Sequence, residues 1–159
     1  MNYRIVDYCD MYCDDVSNIV TRNLMEINIK DYGIEKVKKD AMRFTPEMIA
    51  EYSKTRKFYI ARSGETTVGT ISVVKNIHGG EYDYVILTVF VLPEEHGKGI
   101  GRLLIEHAER HIKDLGGKTV SIPASITAHS FYNKLGYEDI HDKEPHPDGY
   151  IWVKKNFAI

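Results

Sequence analysis

The run Tyr82–Leu92 constrains this chain more than any other stretch. Written as a strand, it puts Tyr84, Ile86, Phe90 and Leu92 on one face and Val85, Leu87, Val89 and Val91 on the other. A strand apolar on both faces belongs in the middle of a sheet, with packed layers above and below it. Pro93 supplies no ladder donor and ends the run.

The run leads into His96-Gly97-Lys98-Gly99-Ile100-Gly101-Arg102 and then into a helix predicted over Gly99–Leu115. In that helix Ile100, Leu103, Leu104, Ala108, Ile112 and Leu115 recur at the helical period. Glu106 with Arg110, and Glu109 with Lys113, form i,i+4 pairs on its wet side, and Gly116-Gly117 is the stop signal. A glycine-rich turn from strand to helix suits a phosphate. The glycines let the backbone come close, and the first helical amides have no partner within the helix. Lys98 and Arg102 add positive charge. The glycine spacing is neither the dinucleotide fingerprint nor a Walker A loop. By itself the segment reads equally well as a tight turn.

The other elements complete a layered domain. Arg4–Tyr8 reads as a strand. A helix follows from Asp10, with Val16, Ile19, Val20, Leu24 and Ile27 on one stripe. One or two helices fill Gly33–Arg56, one of them opened by Thr45-Pro46-Glu47 as cap and first turn. Phe58–Arg62 and Val68–Lys75 form a hairpin across Ser63-Gly64-Glu65, and His78-Gly79-Gly80 marks the next turn. Thr119–Ile122 is a strand broken by Pro123, Thr127–Leu135 a short helix closed by Gly136, and Tyr137–His141 and Tyr150–Lys155 are closing strands. The order β-α-α-β-β-β-α-β-α-β-β gives a single α/β (α+β) domain over residues 1–159, a mixed sheet flanked by helices. A chain of 159 residues with 43% hydrophobic and 28% charged content suits one core. A net charge of −2 implies no broad basic surface for nucleic acid. No apolar run approaches the roughly 20 residues that cross a bilayer, and no signal peptide is evident, so a cytoplasmic protein is expected.

A second segment, Ser125…Ala128…Phe131-Tyr132…Gly136-Tyr137, gives the loop its meaning. Together the two resemble the GNAT superfamily of acyl-CoA N-acyltransferases. His96–Gly101 is similar to that family's loop, Gln/Arg-x-x-Gly-x-Gly/Ala, and Val91-Leu92-Pro93 to the Val-x-Pro that commonly precedes it. Ser125–Tyr137 is similar to its second signature, in which Asn or Ser opens and Phe-Tyr, Gly and Phe/Tyr follow. The resemblance covers Tyr82 to Tyr137. His96 departs from the usual Gln or Arg, and Ser125 from the more frequent Asn.

The resemblance implies a mostly antiparallel sheet and acetyl-CoA as cosubstrate. It implies that Val89, Phe90 and Val91 pair their backbone with the pantetheine arm, and that Gly97, Lys98, Gly99, Ile100, Gly101 and Arg102 hold the pyrophosphate. Ser125 would reach the pantetheine arm, through water if not directly. Tyr132 would protonate the departing thiolate. A Val89 amide would support the developing oxyanion. No residue is assigned as general base; Glu81 and Asp83 read as solvated turn residues.

Other residues read more plainly. Cys9 and Cys13 share one face if helical, and read as reduced thiols in or near the core. His129 stands three residues before Tyr132, more simply an exposed helical histidine than a tuner of the tyrosine; His78, His141 and His146 lack metal-ligand spacing, so no metal is expected. Glu138–Asp148 carries five acids and one lysine, a rim suited to a cationic small-molecule or peptide amine if it borders the cleft. Exposed strand edges would suit a homodimer. An N-acetyltransferase is the leading reading. A coenzyme-A-binding sensor without catalysis, or a nucleotide site in an unrelated α/β protein, stands beside it.

Overall fold

The structure, a computed structural model, describes residues 2–77, 82–140 and 149–157. Among the described residues seven strands form one sheet: β1 (Arg4–Asp7), β2 (Lys57–Ser63), β3 (Thr66–Lys75), β4 (Tyr84–Val91), β5 (Thr119–Ala124), β6 (Glu138–Asp139) and β7 (Ile151–Asn156). Their spatial order is β1-β2-β3-β4-β5-β7-β6, and every pairing is antiparallel except β4 with β5. The expected central strand is central. Pleating divides β2 between two cores: Phe58 and Ile60 enter the one built with Val16, Val20, Val37 and Ile49, while Tyr59 and Ala61 enter the one built with Leu104, Ile105, Ala108 and Ile112.

The helices occupy both faces. The N-terminal half contributes α1 (Cys13–Asn23), α2 (Ile29–Tyr32), α3 (Ile34–Ala41) and α4 (Pro46–Tyr52), and α5 (Ile100–Asp114) and α6 (His129–Lys134) follow the glycine loop and β5. Thr45 caps α4 as expected, accepting the Met48 N–H at 3.2 Å. A π-helical turn, Leu24–Asn28, joins α1 to α2. Its extra residue advances the buried stripe from Leu24 to Asn28 and leaves the expected Ile27 only half-buried. Cys9 has extended backbone and precedes the helices, so the two cysteines do not share a helical face; Cys9 is exposed and both are free thiols.

In α5 the buried face is Ile100, Leu104, Ile105, Ala108 and Ile112, whereas Leu103 and Leu115 are exposed. Glu109, expected on the wet side with Lys113, is only 7% exposed. It accepts the Tyr137 hydroxyl at 2.7 Å and meets Lys155 Nζ at 3.1 Å, while Lys155 also donates to the Leu135 carbonyl at 2.9 Å. Glu109 follows Ile105 by four and precedes Ile112 by three, so its place on the helix already lay inside the apolar arc. This network ties α5 to the end of α6 and to β7.

The sheet opens at its centre. β4 and β5 pair only at Tyr84↔Val120 and Val85↔Ser121, then diverge. Asp83 sets this short junction by accepting the Lys118 and Thr119 amides at 2.7 and 3.3 Å, a bracing role in place of the expected solvated one. Beyond it a bulge bends β4, where three steps of β4 oppose two of β3. Thr88 sits there at φ 56, the one non-glycine residue with positive φ among the described residues. The Ser72 hydroxyl holds the bend, donating to the Leu87 carbonyl at 3.1 Å and lying 3.0 Å from the Thr88 hydroxyl.

Pro123 belongs to β5 rather than ending it, paired with Trp152 of β7. The Phe157 amide donates to the Lys118 carbonyl, and alternation from that pair turns the Pro123 nitrogen toward β4. On that side β4 has already diverged, and no ladder donor is needed.

Candidate active site

The divergence leaves a cleft in two arms. The first lies between the end of β4, the start of α5 and the segment Ser125–Tyr132, and has a volume of about 420 Å³. The second runs behind it toward α3 and α4 and has about 380 Å³. Asn28, Val89, Phe90, Ser125, Ala128 and Tyr132 line both, so the arms meet there.

At the mouth of the first arm, Gly97 (φ 80) and Gly99 (φ 87) take the left-handed conformation that favours glycine. Gly99 caps α5 without any side-chain acceptor for the first helical amides, so Ile100, Gly101 and Arg102 present N–H groups to the cleft. Gly101 is needed for another reason. A Cβ there would come within 3.0 Å of Phe131 Cζ, so its absence lets α5 and α6 close on each other. Of the residues expected to hold a pyrophosphate, Gly97, Gly99, Ile100, Gly101 and Arg102 line this arm, and Lys98 does not. The Lys98 ammonium instead pairs with Glu95 at 3.1 Å.

The end of β4 is held from outside the sheet. The Val91 carbonyl accepts Asn23 Nδ2 at 2.8 Å and His96 Nε2 at 2.8 Å. A carbonyl only accepts, so His96 carries its proton on Nε2. The imidazole thus braces strand against loop where the related loops have Gln or Arg. The Leu92 amide donates to Val68 on the β3 side, so alternation turns the peptide groups of Val91 and Val89 toward the opening and those of Phe90 into the β3 ladder. Of the three residues expected to pair with a pantetheine arm, Phe90 pairs with Thr70 of β3. Val89 has both peptide groups turned to the opening, Val91 has its carbonyl already satisfied, and Phe90 contributes its ring.

Tyr132 stands where the arms meet, 4% exposed, its ring against Phe131 at 5.2 Å and Tyr137 at 6.1 Å. Its hydroxyl has no hydrogen-bond partner among the described residues, and burial raises its pKa above the ordinary phenol value. The phenol is therefore protonated at neutral pH and able to give a proton to a stronger base. Ser125 Oγ accepts the Ala128 amide at 3.2 Å, which leaves its own O–H to donate into the cleft. His129 points elsewhere: its Nε2 lies 2.6 Å from Asp139 Oδ1, bracing α6 against β6.

No carboxylate among the described residues lies where the arms meet. Glu95, at the outer end of the first arm, is held by Lys98 and by the Tyr3 hydroxyl at 3.1 Å. Asp40, in the second arm, is held by Lys36 at 2.7 Å. Glu81, His78, His141, His146 and the acidic segment from residue 141 to 148 lie outside the described residues. Among the described residues no cluster of His, Cys, Asp or Glu could hold a metal ion, and no helix is long and apolar enough to cross a membrane.

Several site residues escaped sequence reasoning. Asn23 and Asn28 were legible in principle, each standing four residues after an apolar member of the α1 stripe, Ile19 and Leu24. A polar group on a buried stripe needs a partner or faces a cavity. Asn23 bonds Ile19 and Val91 carbonyls; Asn28, 8% exposed, makes no side-chain hydrogen bond among the described residues and faces both arms. Arg43 and Arg56, which line the second arm, had no local signal.

Comparison with known proteins places this geometry. A family model described as an acetyltransferase (GNAT) domain matches residues 27–155. A search of curated proteins found no match. Among solved structures, the PaiA N-acetyltransferase from Thermoplasma acidophilum in complex with coenzyme A superposes with a TM-score of 0.83 at 17% identity, covering 99% of this chain and 100% of that one. A GCN5-related N-acetyltransferase from Rhodopseudomonas palustris gives 0.81 at 18% identity, covering 99% and 97%. A GNAT-family acetyltransferase from Staphylococcus aureus gives 0.72 at 17%, covering 98% and 99%. At these identities the likeness is one of fold.

Proposed function

Because the chain belongs to the GNAT acetyltransferase family, we propose that it transfers an acetyl group from acetyl-CoA to a primary amine of a small molecule or peptide. The observation that carries this reading is the meeting of two arms at Val89, Ser125 and Tyr132. One arm opens on free helical amides suited to a pyrophosphate, and the other leaves room for a second substrate of modest size. Both reactants would then reach one point without an acyl group passing through the protein.

In this reading Ile100, Gly101 and Arg102 amides hold the pyrophosphate, and the Val89 carbonyl and Val91 amide hold the pantetheine arm. The amine attacks the acetyl carbonyl, a Val89 amide supports the oxyanion, and the amine takes the acyl group as the thiolate leaves. Tyr132 gives that thiolate a proton; because the phenol is the weaker acid the transfer is uphill by itself, and the proton released by the attacking amine returns through water to the phenolate and completes it. With no carboxylate at the meeting point among the described residues, the amine's proton leaves through water. The free thiols of Cys9 and Cys13 fit a reducing, cytoplasmic setting.

The test is release of free thiol from acetyl-CoA in the presence of a panel of primary amines. Release that depends on one class of amine supports transfer. Saturable coenzyme binding with no release for any amine favours a coenzyme-binding sensor.

A further inference from the structure

The second arm has a charge pattern that selects its occupant. Its lining includes Asp40, Arg43 and Arg56. Asp40 is already neutralised, with Lys36 Nζ on Oδ2 at 2.7 Å and Arg43 Nη1 at 4.0 Å from Oδ1. Arg56 has no carboxylate partner among the described residues. Its guanidinium is stacked on the Tyr52 ring, 4.3 Å from the centroid, which holds the planar fork in one orientation. Burial and the like charge of Arg43 both work against the Arg56 cation, so a bound anion would relieve it. Between this end and Tyr132 the walls are aromatic: Phe44 packs edge-on against Phe90 at 6.5 Å, and Trp152 lines the same arm. Asn28 presents a carboxamide with no side-chain hydrogen bond among the described residues at the meeting point.

We infer that the acceptor is a primary amine carrying a carboxylate or phosphate at its far end and an apolar or aromatic body between, with the anion bound by Arg56 and the amine beside Asn28. This rests on the transferase reading for the amine's fate but not for the anion's seat. A guanidinium fork pairs bidentately with either anion. It differs from the cationic acceptor expected from the acidic segment, and it follows from the cationic excess on the described walls of the arm.

The test uses the full chain saturated with coenzyme A. The ligands are 4-(aminomethyl)benzoate, 4-(aminomethyl)phenyl phosphate, the methyl ester of the former, and 1,4-bis(aminomethyl)benzene as the dication. Binding is measured by titration calorimetry, and thiol release from acetyl-CoA by a separate assay. The two anionic amines should bind about tenfold to a hundredfold more tightly than the ester and the dication, and the stronger of the two identifies the anion. Arg56→Met should collapse that advantage, and Arg56→Lys should restore part of it. A retained melting-point rise with coenzyme A shows that the variant is folded. Equal binding of all four ligands, preference for the dication, or an advantage that survives Arg56→Met overturns the inference. Arg56-dependent binding with no thiol release from any amine would sustain the anion seat and sink the transferase reading. Thiol release confined to the dication would do the reverse.

Discussion

His96 Nε2 donates to the Val91 carbonyl at 2.8 Å, tying the first residue of the glycine loop to the last residue of β4. The same carbonyl accepts Asn23 Nδ2, so three elements meet at one oxygen where the strand turns into the loop. His96→Ala removes one of the two donors and frees the loop from its strand. At about 1 kcal/mol for such a bond, coenzyme A affinity should fall roughly fivefold. His96→Gln, which can still donate, should recover most of it. Titration of coenzyme A against both variants decides the matter, and equal affinity in all three proteins would show that the bond does not position the loop.

Gly101 and Phe131 are coupled by shape. With Cζ 3.0 Å from where a Cβ would stand, Gly101→Val forces the ring away and should destabilise the fold by about 1–3 kcal/mol. Phe131→Leu should cost stability alone yet recover part of the loss in the double variant, a non-additive cycle. Urea denaturation of the four proteins measures it; strict additivity would mean that the two side chains do not compete for the same space.

The buried pair Tyr137–Glu109 stabilises the junction of α5, α6 and β7. Tyr137→Phe leaves a 7% exposed carboxylate with only Lys155, and should cost about 1–3 kcal/mol in urea denaturation at neutral pH. Glu109→Gln should cost less in the Tyr137→Phe background than alone, because the carboxylate's best partner is then already missing. Identical costs in the two backgrounds would place the bond outside the stability of the fold.

Alkaline pH should expose the same burial. Tyr132 and Tyr137 both have phenols raised above the ordinary value, in each case chiefly by burial. A raised pKa in the folded state contributes stability that is whole below the unfolded value near 10 and is lost as pH climbs above it. Each phenol adds up to about 1.4 kcal/mol of loss per pH unit there. Denaturant midpoints followed from pH 9 to pH 11.5, a range set by that value near 10, should fall steeply, and less steeply in Tyr132→Phe and Tyr137→Phe. Parallel curves for all three proteins would contradict the burial of these hydroxyls.

How much of this was written in the sequence follows from what each feature depends on. The central strand, the glycine turn and α5 were legible because each carries its own period and punctuation, from Tyr84 through Gly99 to Ile112. The place of Tyr132 was legible only through the resemblance, since one tyrosine on a short helix has no local signal. The π turn at Leu24–Asn28 was not, because an inserted residue shifts the phase of a stripe without changing its composition. The Thr88 bulge depends on Ser72 across the sheet, and the second arm's charge depends on Arg43 and Arg56, which come together only when α3 and α4 pack beside β4. Glu109 was misplaced because a charged residue was matched to a neighbour four residues away on its own helix, and its partners, Tyr137 and Lys155, are distant in the chain.

The most direct test of the account is turnover by Tyr132→Phe. The Tyr132 hydroxyl bonds nothing among the described residues, so its removal leaves packing against Phe131 and Tyr137 in place. The account predicts unchanged coenzyme A affinity and a kcat lowered on the order of 100-fold with saturating acetyl-CoA and amine. An unchanged kcat under those conditions would contradict it.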